Sequence, residues 1–341
     1  MKLTPTIAAL AVAGLTVAGA VVAAPGPTLT DDVRGDQQIA AAASSQLGGV
    51  RREVAVLYLD GNGSRQALFN TTATTQFQAG SLTKLFTTQL YINALERGEV
   101  RRTQKLGSLL PLGDAPVADV TLQELAEHKS GLGLWGADSD NPVRELWQDH
   151  VVGKEVGQGA SYAELLDRAR RDPLDTRGRF EYSNIGIALL GHALSAAADV
   201  PFDQLLSSRV LQPLEMTNTW LPNANSLNPP RGLTDGGAPA AVWRAGAYAP
   251  AGGAVTTLVD LGRFARYVAN TRPPRNQGDV DDGFLVTNVD GRPILGKTGT
   301  VTGFSTAMLV DRRRKAAAIV LSDSDEPVMD AAKAVLREGL Q

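Results

Sequence analysis

Apolar, strand-like runs stand at both ends of this chain, with helical patterns filling the space between them, and this arrangement limits the fold more than any other feature. Near the start, Val54–Leu59 is a continuous apolar run, Asp60-Gly61-Asn62-Gly63 is a turn signal, and a second run covers Gln66–Phe69. That pattern predicts a hairpin. A short stretch at Thr75–Ala79 follows. Near the end, Leu285–Thr287, Pro293–Lys297, Ser305–Val310 and Ala316–Leu321 read as a meander, with Asp311–Lys315 as a solvated basic tip. A terminal helix is predicted from Pro327 to about Arg337. Between the two ends lie helical patterns at Tyr162–Arg171, Ile185–Ala198 and Leu258–Ala269. Thr121 with Glu124, and Thr257 with Asp260, mark helix starts. The expected fold class is α/β (α+β): one antiparallel sheet built from both chain ends and flanked by helices, with a mainly helical domain inserted into it. The boundaries are 51–100 and 285–341 for the α/β part and 101–284 for the helical part. Residues 221–253 show no periodicity and read as one long loop. There is no internal repeat.

Residues 1–24 carry Lys2, an apolar run from Ile7 to Val22 and small residues around Ala20 and Ala24. This is an export-signal pattern, which predicts a secreted or cell-envelope protein, with an uncleaved anchor as the alternative. Residues 25–50 are small, polar and alanine-rich, and read as a leader holding one helix.

Composition narrows the chemistry. The formal net charge is −3, so there is no basic excess to meet the phosphates of a nucleic acid. With no cysteine and only His128, His150 and His192, the chain offers no thiol nucleophile and no histidine pair at metal-ligand spacing. No cofactor or metal is therefore expected, and hydrolysis has to come from oxygen and amine groups.

One stretch offers such groups. Gly80-Ser81-Leu82-Thr83-Lys84 opens a predicted helix from Leu82 to about Arg97. Positions i and i+3 share a helix face, so the Lys84 amine can reach the Ser81 hydroxyl. A buried amine loses its proton more readily and can then activate a hydroxyl. A simple helix-capping serine is the competing reading. Two further groups stand at helix or strand ends. Tyr182-Ser183-Asn184 precedes the Ile185 helix, where the tyrosine can serve as a base if cations lower its pKa and the asparagine both donates and accepts. Lys297-Thr298-Gly299-Thr300 ends a predicted strand, with a cation, two hydroxyls and a glycine that leaves room beside the backbone. Tyr91-Ile92-Asn93 repeats the tyrosine–asparagine spacing, but ten residues of helix put it about 15 Å from Ser81.

Ser81-x-x-Lys84, Tyr182-x-Asn184 and Lys297-Thr298-Gly299, in that order, resemble the three motifs of the serine β-lactamase and penicillin-binding protein superfamily. The tyrosine motif is similar to that of its class C β-lactamase and DD-peptidase branch. Leu125–Leu132, Ala251–Gly253 and Gly299–Phe304 resemble the same family, and the likeness covers roughly residues 50–340. The resemblance implies a β-lactamase/transpeptidase-like fold. It makes Ser81 the acylated nucleophile, with Lys84 and Tyr182 sharing the acid and base work. It also implies an oxyanion hole from the backbone N–H groups of Ser81 and Thr300, Asn184 orienting the substrate amide and the lysine, and Lys297 and Thr298 meeting a substrate carboxylate. The implied substrates are β-lactams or the D-alanyl-D-alanine ends of peptidoglycan peptides. An esterase of the same fold and a non-turnover penicillin sensor are the alternatives, and oligomeric state is left open.

Other residues are assigned to structure. Gly303-Phe304-Ser305 lacks the final glycine of a hydrolase elbow and lies in a predicted strand. His128 and His192 are expected to be structural, and Trp135 and Trp243 to pack at the domain junction.

Overall fold

The structure, a computed structural model, describes residues 26–137, 158–223, 226, 228–271, 280–281 and 283–341. The export signal read at 1–24 and His150 lie outside the described residues.

Among the described residues eight antiparallel strands form one sheet, in the order β1 (Val33–Gly35), β3 (Gly63–Phe69), β2 (Val54–Asp60), β10 (Ala316–Ser322), β9 (Phe304–Asp311), β8 (Arg292–Val301), β7 (Phe284–Val289) and β6 (Val280–Asp281). The two chain ends meet at its centre. Strand β2 (Val54–Asp60) pairs with β10 (Ala316–Ser322), with Ala55 opposite Leu321 and Leu59 opposite Ala317. The hairpin partner β3 (Gly63–Phe69) extends the sheet one way, and β9 (Phe304–Asp311), β8 (Arg292–Val301) and β7 (Phe284–Val289) extend it the other.

The β2 sequence explains why both faces are covered. Its side chains alternate between faces, yet every residue from Val54 to Leu59 is apolar and buried. Val54, Val56 and Tyr58 enter one core, while Ala55, Leu57 and Leu59 enter another. On the first face lie α1 (Gln37–Ser44) and the C-terminal helix Met329–Gly339. Both present alanines, so they sit close to the sheet: a β-carbon on Gly339 would fall 2.1 Å from the Tyr58 ring. On the second face lie α2 (Thr83–Glu96) and the helix Leu258–Asn270, where Phe86 meets Phe264 edge-on at 5.0 Å between ring centres.

Three expectations change in detail. The stretch 25–50, read as a leader, supplies edge strand β1 (Val33–Gly35), paired with β3, and the α1 helix. The Leu258–Asn270 helix, grouped with the inserted region, packs on the sheet through Leu258, Leu261 and Phe264. The 221–253 loop has order in its second half, ending in a 3-10 turn at Gly246–Tyr248 and a short helix at Ala249–Gly252. Its backbone also reaches the C-terminal end of β10, where the Leu233 N–H donates to the Asp323 carbonyl at 2.8 Å.

Candidate active site

Strand β4 (Phe77–Gln78) pairs with β5 (Val255–Thr256), and this small second sheet delivers the chain to a 3-10 turn at Gly80–Leu82 that leads straight into α2. Ser81 sits on that turn. It does not cap the helix: neither Ala79 nor Leu82, the residues at the two helix starts, makes a side-chain cap, and the Ser81 hydroxyl is engaged elsewhere. Lys84 Nζ lies 3.0 Å from Ser81 Oγ, and the Tyr182 hydroxyl lies 2.9 Å from it on another side.

Helix α2 is buried nearly all round, and its first turns anchor the rest of the site. Thr83, Lys84 and Thr87 hold the segment that precedes β5. Lys84 donates to the Ala251 carbonyl at 2.7 Å, Thr87 to the Pro250 carbonyl at 2.6 Å, and the Ala254 N–H donates to the Thr83 hydroxyl at 3.0 Å. The Lys84 amine is 1 % exposed. Burial, followed by repulsion from Lys297, pushes its pKa well below the ordinary lysine value. The amine, its charged form disfavoured, spends one N–H on Ala251 and meets the Ser81 hydroxyl with no counter-charge beside it. The expected activation of Ser81 therefore has a geometric basis.

Tyr182 behaves differently from the expectation. Its pKa is not lowered but raised to about 12, because burial outweighs the favourable contact with Ser81. Lys297 and Lys84 lie over the ring face, with Nζ 4.6 and 5.1 Å from its centre. The raised pKa keeps Tyr182 protonated, and its hydroxyl donates to Ser81 Oγ at 2.9 Å.

The residues around Tyr182 are positioned by the next helix, α5 (Asn184–Ala198), counting α3 as Leu122–Ala126 and α4 as Tyr162–Arg171. Ser183 caps α5: its hydroxyl accepts the Gly186 N–H at 3.0 Å and donates to the Gly133 carbonyl at 3.0 Å. With Ser183 committed to the cap, Tyr182 and Asn184 flank it, and Asn184 reaches the cleft wall.

Strand β8 closes the other side. Its register with β7 ends at Leu285 opposite Gly296, so from Lys297 to Val301 it keeps β9 on one edge and exposes the other beside Ser81. Lys297 is 3 % exposed and forms no ion pair among the described residues. Burial lowers its pKa to about 8. Thr298 and Thr300 are exposed, with Thr300 on the cleft. Gly299 serves a different purpose from the one expected. The space beside it is filled by the turn that carries Ser81: a β-carbon there would lie 2.1 Å from the Ala79 carbonyl and 2.9 Å from the Ser81 nitrogen. Gly80, with φ of +52°, matches it, since a β-carbon on Gly80 would lie 2.8 Å from the Thr300 nitrogen. Two glycines therefore let the Ser81 and Thr300 amides share one small region with no side chain between them.

Several participants escaped the sequence reading. The cleft around Ser81 is also lined by Trp135, Trp243 and Tyr248. Trp135 meets Tyr248 edge-on at 5.2 Å, and its carbonyl accepts the Tyr248 hydroxyl at 2.7 Å. Trp243 donates to the Gly252 carbonyl at 3.3 Å. The two tryptophans, for which the sequence favoured packing over lining a cleft, are thus cleft walls as well. The Ala251 carbonyl that orients Lys84 is backbone and leaves no mark of its own in a sequence. His128 lies against Tyr182, with ring centres 4.7 Å apart; its place within Leu125–Leu132 was the only signal. The decoy Tyr91 is 3 % exposed in the core, and Ser305 is buried in β9, so neither joins the site. His192 is tied to the Ala247 carbonyl at 2.9 Å, in keeping with a structural role.

Comparison with known proteins gives one consistent result. The family model described as Beta-lactamase matches residues 33–340. A "Beta-lactamase" of Providencia stuartii is 27 % identical over 169 residues, covering 48 % of this chain and 39 % of that protein. "Penicillin-binding protein 4" of Amycolatopsis lactamdurans is 28 % identical over 206 residues, covering 56 % of this chain and 50 % of that protein. The matches thus span half or less of the length of these curated relatives. Among solved structures, the "Beta-Lactamase/D-Alanine Carboxypeptidase" of Pseudomonas syringae superposes with a TM-score of 0.72 at 17 % identity, covering 90 % of this chain and 98 % of that one.

Proposed function

The chain belongs to the Beta-lactamase family, and from that membership and the geometry of the cleft we propose that it is an exported serine hydrolase. It acts through an acyl-Ser81 intermediate on β-lactams or on peptides ending in D-alanyl-D-alanine. The observation that carries this reading is the Ser81 hydroxyl held between the Lys84 amine at 3.0 Å and the Tyr182 phenol at 2.9 Å. Export rests on the pattern of residues 1–24.

The geometry supports the following sequence of events. Neutral Lys84 takes the Ser81 proton as Oγ attacks the carbonyl carbon of the substrate. The oxygen that gains charge is met by the backbone N–H groups of Ser81 and Thr300. Tyr182, protonated at rest, gives its proton to the departing nitrogen and is restored from Lys84. Water then repeats the attack on the ester with the proton roles reversed. The open edge of β8 accepts an extended substrate as an added strand. Lys297, charged below about pH 8, meets its carboxylate, and Asn184 meets its amide.

Time-resolved intact-protein mass spectrometry with a penicillin tests the proposal. A lasting adduct that disappears in Ser81→Ala is the result expected of a penicillin-binding carboxypeptidase, and drug consumption without a lasting adduct is that of a β-lactamase. Labelling that persists in Ser81→Ala would overturn the nucleophile. Neither adduct nor consumption would move the substrate class to esters.

A further inference from the structure

His128 plays no part in the proton transfers described above, yet the fold holds it beside them in a conformation that costs free energy. It follows α3 with φ of +55°, the left-handed geometry in which glycine or asparagine usually ends a helix. The ending itself is made by backbone: the His128 N–H donates to the Leu125 carbonyl at 3.2 Å and the Lys129 N–H to the Glu124 carbonyl at 2.7 Å. Nothing in that closure needs an imidazole.

The side chain turns inward instead, 2 % exposed. The His128 carbonyl accepts the Glu181 N–H at 2.8 Å, and its Nδ1 accepts the Ser183 N–H at 3.1 Å. These are the residues immediately before and after Tyr182. The imidazole lies against the phenol at 4.7 Å with a tilt of 32°, and Phe180 closes on it edge-on at 5.9 Å. One residue thus grips the backbone on both sides of Tyr182 and also supports its ring.

We propose that His128 is a positioning residue for Tyr182, a clamp that holds the phenol on the Ser81 hydroxyl and so sets the rate of acylation. This rests on the reading of Ser81 as nucleophile. The clamp works in one tautomer. A backbone N–H can only donate, so Nδ1 is the acceptor and the ring proton sits on Nε2. Burial, then the neighbouring Lys297, holds the His128 pKa well below the ordinary histidine value, which keeps the ring neutral around pH 7.

The test uses His128→Phe, which keeps a ring but leaves the Ser183 N–H unpaired, and His128→Asn, which keeps an acceptor near Nδ1 and is at ease at positive φ. With the full mature chain and a chromogenic penicillin or ester, His128→Phe should acylate about 100-fold more slowly and His128→Asn about tenfold, each with KM within about twofold of wild type. His128→Asn should melt no lower than wild type. In a Tyr182→Phe background, His128→Phe should cost less than about threefold, because the clamp acts through the phenol. Wild-type acylation by folded His128→Phe, or an undiminished loss in the Tyr182→Phe background, would overturn the clamp. Two measurements do not depend on turnover. Histidine nitrogen NMR should show Nδ1 unprotonated across pH 5.5–8, and a crystal structure of His128→Phe should show the Tyr182 hydroxyl displaced from Ser81. An inert wild-type enzyme would count against the Ser81 reading, while these two measurements would still decide the clamp; a protonated Nδ1 or an unmoved Tyr182 would reject it.

Discussion

Asp260 and Lys84 are both shut away from water, at 0 % and 1 % exposure, each in the first turn of a helix on the same face of the sheet. Their surroundings differ in kind. The Asp260 carboxylate accepts the Asn218 N–H at 2.8 Å, the Thr219 hydroxyl at 2.9 Å and the Arg263 guanidinium at 3.1 Å. Lys84 has one carbonyl, the serine it serves, and, as the charge that acts on it, another lysine. A buried charge that holds a fold together is saturated with partners, since an unpaired one costs more than its burial returns. A buried amine without a counter-charge gives up its proton instead, and that deprotonated state is the one a general base requires. The contrast separates a group that stabilises from the group proposed to react, though both appear in the sequence as a polar residue early in an apolar helix.

The sharpest way to break this contrast is to remove the reactive member. Lys84→Met should slow acylation about 10³-fold while the melting temperature stays level or rises, because no buried amine has to be desolvated. Normal acylation with a lowered melting point would make Lys84 a structural residue after all. Removing the saturated member should do the reverse. Asp260→Ala should cost about 3 kcal/mol in urea unfolding, from donors left unpaired, while the folded fraction still acylates within about threefold of wild type. A variant that keeps its stability but loses the reaction would erase the distinction.

The smallest effect is a pH dependence. With a folded pKa of about 8, Lys297 loses its charge as pH rises through that value. KM for a carboxylate-bearing substrate should rise about tenfold between pH 7 and 9.5, and KM for a neutral ester should stay flat. The stability sign follows from the same shift. The folded pKa lies below the unfolded one, so the cost of burying Lys297 is present in full below pH 8 and is relieved as pH rises from 8 toward 10.5. Lys297→Met should remove both trends, and a carboxylate KM that stays pH-dependent in that variant would take the role away from Lys297.

Much of this was legible in the residues. The apolar run Val54–Leu59 read as a strand and is one, and the four runs at the end form the expected meander. Ser81 and Lys84 belong to one local turn, so their spacing alone predicted contact. Local reading failed where a role depends on what arrives from elsewhere. Gly299 looked like room for a ligand, but the gap is occupied by the Ala79–Ser81 backbone, some 220 residues earlier in the chain. Tyr182 could serve as a base if cations lowered its pKa, whereas burial dominates and keeps it protonated. His128 looked like packing, because nothing near it in sequence says that residues 181 and 183 dock onto it.

The sequence by itself determined the strands at both ends, the helix starts, the oxygen and amine chemistry and the three motifs that supply it, because each is encoded in neighbours a few residues apart. The tertiary structure decided which hydroxyl meets both a buried amine and a phenol, which amine is buried without a counter-charge, and what fills the space beside each glycine. Those properties depend on burial and on the distance between segments remote in sequence. Desolvation and hydrogen-bond geometry act only once the segments have met.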